Sequence, residues 1–283
     1  MRLVSFIHED RPSYGLSVDG DTFRLPEATY RRFPDLATLL GHNGQSDPEL
    51  VKPSGKVTPD ALLPPIPAPG KILCVGVNYL PHIREMGREP PDKPLVFVRF
   101  ANSVVGHGAA LAMPPNSEHY DFEGELALVI GKRCQRVARE DTEAVIAGFM
   151  PFMDGSVRDF QRHTTQFTAG KNFWRSGAAG PALVTPDEVG DVRQLRLETR
   201  LNGELMQSAS VGDLLFDVPA LVAYCSSFTR LEPGDVIVTG TPGGVGAART
   251  PPVWLKPGDR LEVDLGRAGT LANVVEPESG PLV

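Results

Sequence analysis

Short apolar runs follow one another along the chain after residue 70, and each is bounded by Gly, Pro or Asp. Runs of this length that end in chain-breaking residues predict β-strands more strongly than helices. Two Pro-Gly-Asp turns, at residues 233–235 and 257–259, each introduce one of the runs. The predicted strands of this part are 72–77, 95–100, 125–130, 195–201, 236–239 and 261–265.

Helical patterns are fewer than strand patterns. The two best candidates are residues 142–147 and residues 219–227. The elements do not show the regular alternation of strand and helix that is typical of Rossmann and TIM-barrel chains. We therefore predict an α+β protein in which strands predominate.

The beginning of the chain has the pattern of a small accessory unit. Residues 3–7 and 14–18 resemble short strands, and Asp35 is placed to cap a short helix. Residues 63–70 then contain four prolines, which neither a helix interior nor a central strand accommodates. We interpret this stretch as a linker. The predicted domains are residues 1–65 and residues 66–283.

Composition and charge narrow the classes of function. The 283 residues carry a formal net charge of −7, which argues against a nucleic-acid partner, since that would require a basic surface. No apolar run approaches the roughly 18 residues that a membrane-spanning helix needs, so we expect no membrane partner. The three cysteines, Cys74, Cys134 and Cys225, are scattered and form no CxxC pair. Such a set predicts reduced thiols in a cytoplasmic protein.

Two glutamates in the segment DFEGELALVIG, residues 121–131, are the first candidates for chemistry. Glu123 and Glu125 are two positions apart, so on a strand their side chains point to the same face. The apolar run that follows predicts that this strand enters the core. A hard cation such as Mg²⁺, Mn²⁺ or Ca²⁺ would relieve the repulsion between two buried carboxylates. The alternative is an exposed strand edge with two solvated carboxylates.

Asp154 offers a third carboxylate. It lies between an apolar segment and a glycine, as expected for a strand end that faces a pocket. Arg158 and Gln161 follow at helical spacing, so all three side chains could face one cavity. Arginine is suited to bidentate binding of a substrate carboxylate. The alternative is a surface turn in which Asp154 caps a short helix.

Three further segments carry candidate residues. Lys171, in GKNF, is either a solvated surface lysine or a cation that holds a carboxylate or a developing enolate. His82 and Glu85 are three positions apart, so on a helical turn the carboxylate could orient the imidazole as a general base. A single histidine is, however, more often structural. Thr241 belongs to a glycine-rich turn, residues 239–246, that has neither the P-loop nor the Rossmann spacing and is better interpreted as a tight turn at a pocket.

Together, and in their order along the chain, these motifs resemble the fumarylacetoacetate hydrolase superfamily over about residues 71–275. The resemblance implies a mixed β-sandwich roll with a small β-rich N-terminal domain, a homodimer, and a small-molecule keto-acid substrate. The motifs are GVNYLPHIRE, DFEGELALVIG, MDGSVRDFQ, GKNF, LNGELMQ, LEPGDVIVTGTPGGVG and LKPGDRLEV.

The resemblance also implies a role for each candidate residue. It makes Glu123, Glu125 and Asp154 the ligands of Mg²⁺ or Mn²⁺. It makes His82 and Glu85 an acid–base pair on a lid over the substrate. The positions that it implies for the substrate site are Arg158, Gln161, Lys171 and Thr241.

The leading expectation for function is metal-dependent hydrolysis of a C–C bond in an acylpyruvate-like or fumarylpyruvate-like acid. In that scheme Lys171 adds positive charge beside an enolate, and His82, oriented by Glu85, activates water. Decarboxylation of an oxaloacetate-type acid, or isomerisation of a 2-hydroxy-diene dioate in aromatic catabolism, passes through the same enolate. A catalytically idle binding protein on this fold is a third interpretation.

Overall fold

The computed structural model describes residues 1–80, 83 and 89–278, and most of the regular structure in these residues is β-strand. The strands form a sheet of 13 strands, a sheet of five strands and a separate two-stranded pair. The predicted α+β class, with strands predominant, is confirmed. None of the helices among the described residues is long and apolar enough to cross a membrane.

Twenty strands and six α-helices are numbered here in chain order within the described residues. The strands are β1 (Arg2–His8), β2 (Arg11–Val18), β3 (Asp21–Arg24), β4 (Gly55–Val57), β5 (Ala61–Leu62), β6 (Ile72–Gly76), β7 (Leu95–Arg99), β8 (Val104–Val105), β9 (Leu111–Met113), β10 (Tyr120–Asp121), β11 (Gly124–Ile130), β12 (Ile146–Met153), β13 (Ser156–Val157), β14 (Gly177–Ala179), β15 (Leu183–Val184), β16 (Arg196–Leu201), β17 (Glu204–Ser210), β18 (Val236–Val238), β19 (Arg260–Asp264) and β20 (Thr270–Pro277). The helices are α1 (Glu27–Arg32), α2 (Leu36–Gly41), α3 (Arg158–Gln161), α4 (Thr168–Lys171), α5 (Pro186–Val189) and α6 (Val218–Phe228).

The two larger sheets pack against each other. The main path of the 13-stranded sheet has the order β4-β3-β2-β1-β15-β12-β11-β18-β6-β7, and the five-stranded sheet has the order β17-β16-β19-β20-β9. Strands β11 and β12 contact β16, β19 and β20 of the smaller sheet, and apolar residues of both sheets share one core. This sandwich covers one face of the large sheet.

The central strand β11 is buried along its whole length. Leu126 and Leu128 belong to the core shared with the smaller sheet, whereas Ala127 and Val129 belong to a second core on the opposite face. This alternation follows from the two-residue period of a strand, and the continuous apolar run follows from burial of both faces. Any charge placed at the start of β11 therefore lies against a core that excludes water.

The first strands of the chain extend the large sheet. Strand β1 pairs antiparallel with β15, with Arg2 opposite Val184. The predicted cap of α2 is present, because the Asp35 carboxylate accepts a hydrogen bond from the backbone N–H of Thr38 at 2.7 Å. The division into residues 1–65 and 66–283 stays a prediction.

Most predicted elements are present, with differences only at their ends. The helix predicted over residues 142–147 is wrong: a 3₁₀ helix covers Arg139–Val145, and β12 begins at Ile146. A helix of six residues gains little from its own hydrogen bonds. Ile146 instead pairs with Ile130 of β11. Pairing within the sheet therefore overrides the local helical pattern.

Candidate metal centre and active site

Three carboxylates meet where β11 begins and its antiparallel partner β12 ends. Gly124 pairs with Met153 in this register, which places Glu123 and Glu125 beside Asp154. The backbone N–H of Asp154 donates to the carbonyl oxygen of Glu123 at 2.9 Å. All three side chains are buried, and one oxygen from each lies within 4.8 Å of the others. The predicted cluster is thus formed by residues about 30 positions apart.

The negative charge of this cluster is incompletely balanced at Glu125. Burial, and then the neighbouring carboxylates of Asp154 and Glu123, raise the pKa of Glu125 well above its ordinary value. The backbone N–H of Gly240 donates to its carboxylate, but one neutral donor does not offset two like charges in a dry site. The Gly240 turn follows β18, so the glycine-rich segment does face the cluster.

The arrangement suits a hard divalent cation. All three side chains offer only oxygen ligands, which Mg²⁺, Mn²⁺ and Ca²⁺ prefer. The short separation of the oxygens and the raised pKa of Glu125 both indicate a position where a cation would be stabilised. The residues present therefore fit the metal that the sequence predicts.

Lys171 and Arg99 neutralise two of the three carboxylates. The Lys171 ammonium, at the end of α4, forms ion pairs with Glu123 and Asp154 and lies 4.8 Å from the centre of the Phe97 ring. Burial by itself lowers the pKa of Lys171, but Asp154 and Glu123 outweigh burial and raise it. Arg99 contacts the other oxygen of Asp154 at 2.6 Å and donates to Ser176 at 2.8 Å.

Arg158 lies in the predicted cavity but is largely engaged by the protein. Its guanidinium contacts Asp121 and Glu123, each at 2.7 Å, and donates to the Gln161 side-chain oxygen at 2.9 Å. An arginine has five N–H donors, so few are left for a bidentate grip on a substrate. Arg158 in this structure positions Glu123, and its contact with substrate stays a prediction. Asp154 precedes β13 and is not helical, so the predicted helical spacing holds only within α3.

The remaining substrate-site candidates also line the cavity. The Gln161 side-chain oxygen accepts a hydrogen bond from Arg158, and its amide N–H groups donate to none of the described residues. The Thr241 hydroxyl donates to the Gly124 carbonyl at 2.9 Å and accepts from Gln207 at 2.8 Å. Thr241 therefore contributes chiefly to shaping the site. His82 and Glu85 lie outside the described residues, so their roles stay predictions.

The cavity above the carboxylates has a volume of about 440 Å³. Its base is formed by the buried carboxylates and Lys171, and exposed residues such as Arg162 and Thr165 form its open side. Val77, in its wall, has a φ of 61°, a left-handed conformation that is strained for a β-branched residue. Trp174 is not among the residues that line it.

A larger cleft of about 840 Å³ lies at the start of α6. Its charged residues are paired side by side on the rim, as in the ion pairs Arg139–Asp217 and Arg193–Asp191. We assign the chemistry to the smaller cavity, because within the described part of the chain buried carboxylates converge there and not at the larger cleft.

The sequence profile of the fumarylacetoacetate (FAA) hydrolase C-terminal family matches residues 71–276. The chain belongs to the fumarylacetoacetate hydrolase family. Among the relatives, the mitochondrial oxaloacetate tautomerase FAHD2B of Bos taurus is 42% identical over 227 residues, which cover 80% of this chain and 71% of the bovine protein.

Solved structures of family members have the same fold. The fumarylacetoacetate hydrolase from the psychrophile Exiguobacterium antarcticum has a TM-score of 0.85 at 30% identity, covering 98% of this chain and 100% of that one. The maleylpyruvate hydrolase from Sphingobium sp. SYK-6, solved with manganese(II) and pyruvate, has a TM-score of 0.78 at 28% identity, covering 99% of this chain and 100% of that one.

Sequence reasoning missed Arg99 and Asp121, two buried residues that support this family site. Asp121 accepts hydrogen bonds from Arg158 and from the backbone N–H groups of Gly246 and Ala247, at 2.8 and 3.1 Å for the two backbone donors. Burial raises the pKa of Asp121, and Arg158 opposes that rise. Asp121 is the first residue of the segment DFEGELALVIG, so its place in the sequence already made it a candidate for the site. No pattern in the sequence around Arg99 indicates a role in the site.

Proposed function

We propose that the chain catalyses metal-dependent keto–enol tautomerisation of an oxaloacetate-type 2-oxo dicarboxylic acid. The observation that carries this proposal is the buried set Glu123, Glu125 and Asp154 at the base of a cavity that also contains Lys171. The identity of 42% to a protein named oxaloacetate tautomerase supports this reaction over others of the family.

Glu123, Glu125 and Asp154 would hold a Mg²⁺ or Mn²⁺ ion. When bound, such an ion supplies Lewis-acid polarisation of the substrate's 2-oxo group and stabilises negative charge that develops there. Ligation requires all three carboxylates to be ionised. Arg99 holds one oxygen of Asp154 and Arg158 holds one oxygen of Glu123, while Lys171 contacts the second oxygen of each carboxylate. These contacts fix the orientation of both carboxylates.

The chain's own polar groups would then position and stabilise the reacting acid. Lys171 places a fixed positive charge at the base of the cavity, next to the atoms on which enolate charge develops. Gln161 lines the cavity, and its amide N–H groups would suit a carboxylate oxygen. The buried surroundings strengthen both interactions, because the effective dielectric constant is low there.

In the keto-to-enol direction one proton leaves C3 of the substrate and one reaches the oxygen on C2, and the enol-to-keto direction reverses both transfers. We propose His82, oriented by Glu85, as the group that takes up the proton from C3 and returns it in the reverse direction. The spacing of the two residues supports the assignment. No water needs to attack, which separates this reaction from hydrolysis.

Hydrolytic C–C cleavage of an acylpyruvate-type acid is the second candidate. It is supported by the similarity to a maleylpyruvate hydrolase solved with manganese and pyruvate. The two reactions share the enolate and differ in the need for activated water. Products therefore distinguish them: hydrolysis releases pyruvate and a second acid, whereas tautomerisation conserves the substrate's carbon skeleton.

The test is a spectrophotometric assay that follows the loss of enol-oxaloacetate absorbance in weak buffer with Mg²⁺ or Mn²⁺. We expect the wild-type chain to accelerate the decay above the buffer rate, and a chelator to remove the acceleration. Pyruvate release from maleylpyruvate and from acylpyruvates is measured in parallel. Pyruvate release without any acceleration of enol decay would replace the first candidate with the second.

A pair of matched variants ties the activity to the site. Glu125→Gln should lower the rate at least about a hundredfold, since it removes a ligand charge. Asp191→Asn makes the same acid-to-amide change on the rim of the larger cleft and should leave the rate within a factor of about two. Equal loss in both variants would contradict the assignment.

We also propose the homodimer that the family resemblance implies. Strand β7 is an edge strand of the large sheet, and its Val98 side chain and the following Phe100 are exposed. An exposed apolar edge is favourable to burial against a partner. Light scattering at defined concentrations would report a mass near twice 30.5 kDa; a mass of one chain at all concentrations would contradict this proposal.

A further inference from the structure

Arg162 differs from the other cations of the cavity. It follows α3 directly, and its backbone N–H donates to the Asp159 carbonyl at 3.1 Å, which anchors the main chain. Its side chain lines the cavity on the exposed side. Toward the residues that the structure describes, the guanidinium makes no hydrogen bond or ion pair.

The buried charges below Arg162 can be counted. The charged cluster consists of Arg99, Asp121, Glu123, Glu125, Asp154, Arg158 and Lys171. Its four carboxylates and three cations leave one negative charge when all are ionised. A divalent cation held by the three proposed ligands would convert this into one positive charge. One carboxylate of a substrate would balance that charge.

A second substrate carboxylate would have no counter-charge within the cluster. In a cavity of about 440 Å³ an unpaired anion would lose hydration without compensation. Arg158 cannot supply the missing charge, because its own charge is already counted against Asp121 and Glu123. Among the described residues, Arg162 is the further cation that lines the cavity.

We infer that Arg162 binds the second carboxylate of a dicarboxylate substrate and makes the site selective for dicarboxylates over monocarboxylates. This inference rests on the proposed function and extends it to a specificity residue. Gln161, directly before Arg162, lines the same cavity, so two neighbouring side chains could contact one carboxylate. A planar guanidinium suits a carboxylate through two parallel hydrogen bonds.

The test measures binding of two unreactive probes that differ by one carboxylate. Malate and lactate are both 2-hydroxy acids, but malate carries the second carboxylate. Isothermal titration of each into the Mn²⁺-loaded protein gives the ratio of their dissociation constants. We expect the wild-type chain to prefer malate, and the preference to decline with added salt, because one component is electrostatic.

In Arg162→Gln we expect malate to bind roughly tenfold more weakly and lactate to bind unchanged, as for loss of one charged hydrogen-bonding group. Arg162→Lys, which keeps the charge but not the planar fork, should give an intermediate loss. Arg11→Gln makes the same charge change at the exposed first residue of strand β2 and should leave the ratio unchanged. Thermal unfolding of each variant shows whether it is folded.

An unchanged malate-to-lactate ratio in Arg162→Gln would overturn the inference. This includes an equal loss of affinity for both probes, because Arg162 would then act on the hydroxy-acid group that they share. The proposed function is tested separately by enol decay: a wild-type chain that prefers malate through Arg162 but fails to accelerate decay retains the anion site and loses the proposed reaction.

Discussion

The charged cluster under the smaller cavity and the rim of the larger cleft each contain four acids and two arginines, but these charges are paired in different ways. In the cluster the side chains are buried and each cation contacts more than one carboxylate or polar group. On the rim the ion pairs are exposed to solvent: the Arg193 and Asp191 side chains are 72% and 33% exposed. Water stabilises the rim charges whether or not they are paired, whereas the cluster must compensate its own charges.

The largest expected difference concerns the buried arginine. Arg99→Met removes the cation beside Asp154 and leaves a buried carboxylate with less compensation, so we expect a loss of about 3–5 kcal/mol in the free energy of unfolding. Arg139→Met, on the rim, should cost at most about 1 kcal/mol. Urea unfolding of both variants measures these losses of stability. Similar losses in the two variants would show that burial does not make the cluster more dependent on its charges than the rim is.

Metal should stabilise the chain through the charged cluster and not through the rim of the larger cleft. At a free Mn²⁺ concentration of 100 times the dissociation constant, we expect about 2.7 kcal/mol of added stability, because the ion binds the folded chain. Asp154→Asn should abolish most of this gain. Asp217→Asn, the same change on the rim of the larger cleft, should keep it. Thermal unfolding with and without Mn²⁺ measures the gain in stability of each variant. A gain that persists in Asp154→Asn would show that the ion binds elsewhere.

Asn78 connects the two regions. Its side-chain amide donates to the carbonyl oxygens of Phe216 and Thr239, and its side-chain oxygen accepts from the Phe216 N–H. Phe216 lies in the wall of the larger cleft, and Thr239 lies beside the Gly240 turn. Asn78→Ala leaves these groups unpaired, so we expect a loss of about 1–3 kcal/mol in unfolding free energy together with slower enol decay. Urea unfolding and the enol assay measure the two effects.

Asn78→Asp keeps the acceptor and removes both donors, and it serves as the comparison for Asn78→Ala. We expect it to be at least as destabilised, since a buried charge would face two carbonyl oxygens. Full stability with normal activity in both variants would mean that the hydrogen bonds seen at Asn78 do not link the cavities.

The smallest effect is expected on the rim itself. Arg193→Gln removes an exposed pair with Asp191, and we expect no measurable change in the free energy of unfolding. The same variant should bind Mn²⁺ as the wild type does. A loss of stability as large as that of Arg99→Met would show that the larger cleft depends on its charges as the cluster does.

The acidic triad was predictable because part of its geometry is local. Glu123 and Glu125 stand two positions apart before an apolar run, and Asp154 follows another apolar run. Strand periodicity and the cost of burying charge are sufficient to group such residues as candidates. The fold class could be predicted for the same reason, since strand lengths and turn residues are properties of short segments.

Tertiary structure alone brought Arg99 to the triad and the Gly246 turn to Asp121. Arg99 lies 55 positions from Asp154, and Asp121 lies 125 positions from the Gly246 N–H that it binds. No short-range pattern records such pairs, because they arise from the order of strands in the sheet. The sequence suggested Arg158 as a substrate ligand, but the fold surrounds it with Asp121 and Glu123 and leaves Arg162 at the cavity wall. Residue types and their local spacing thus determined the chemical groups available to this protein, whereas long-range packing decided which charges are already neutralised and which line the cavity.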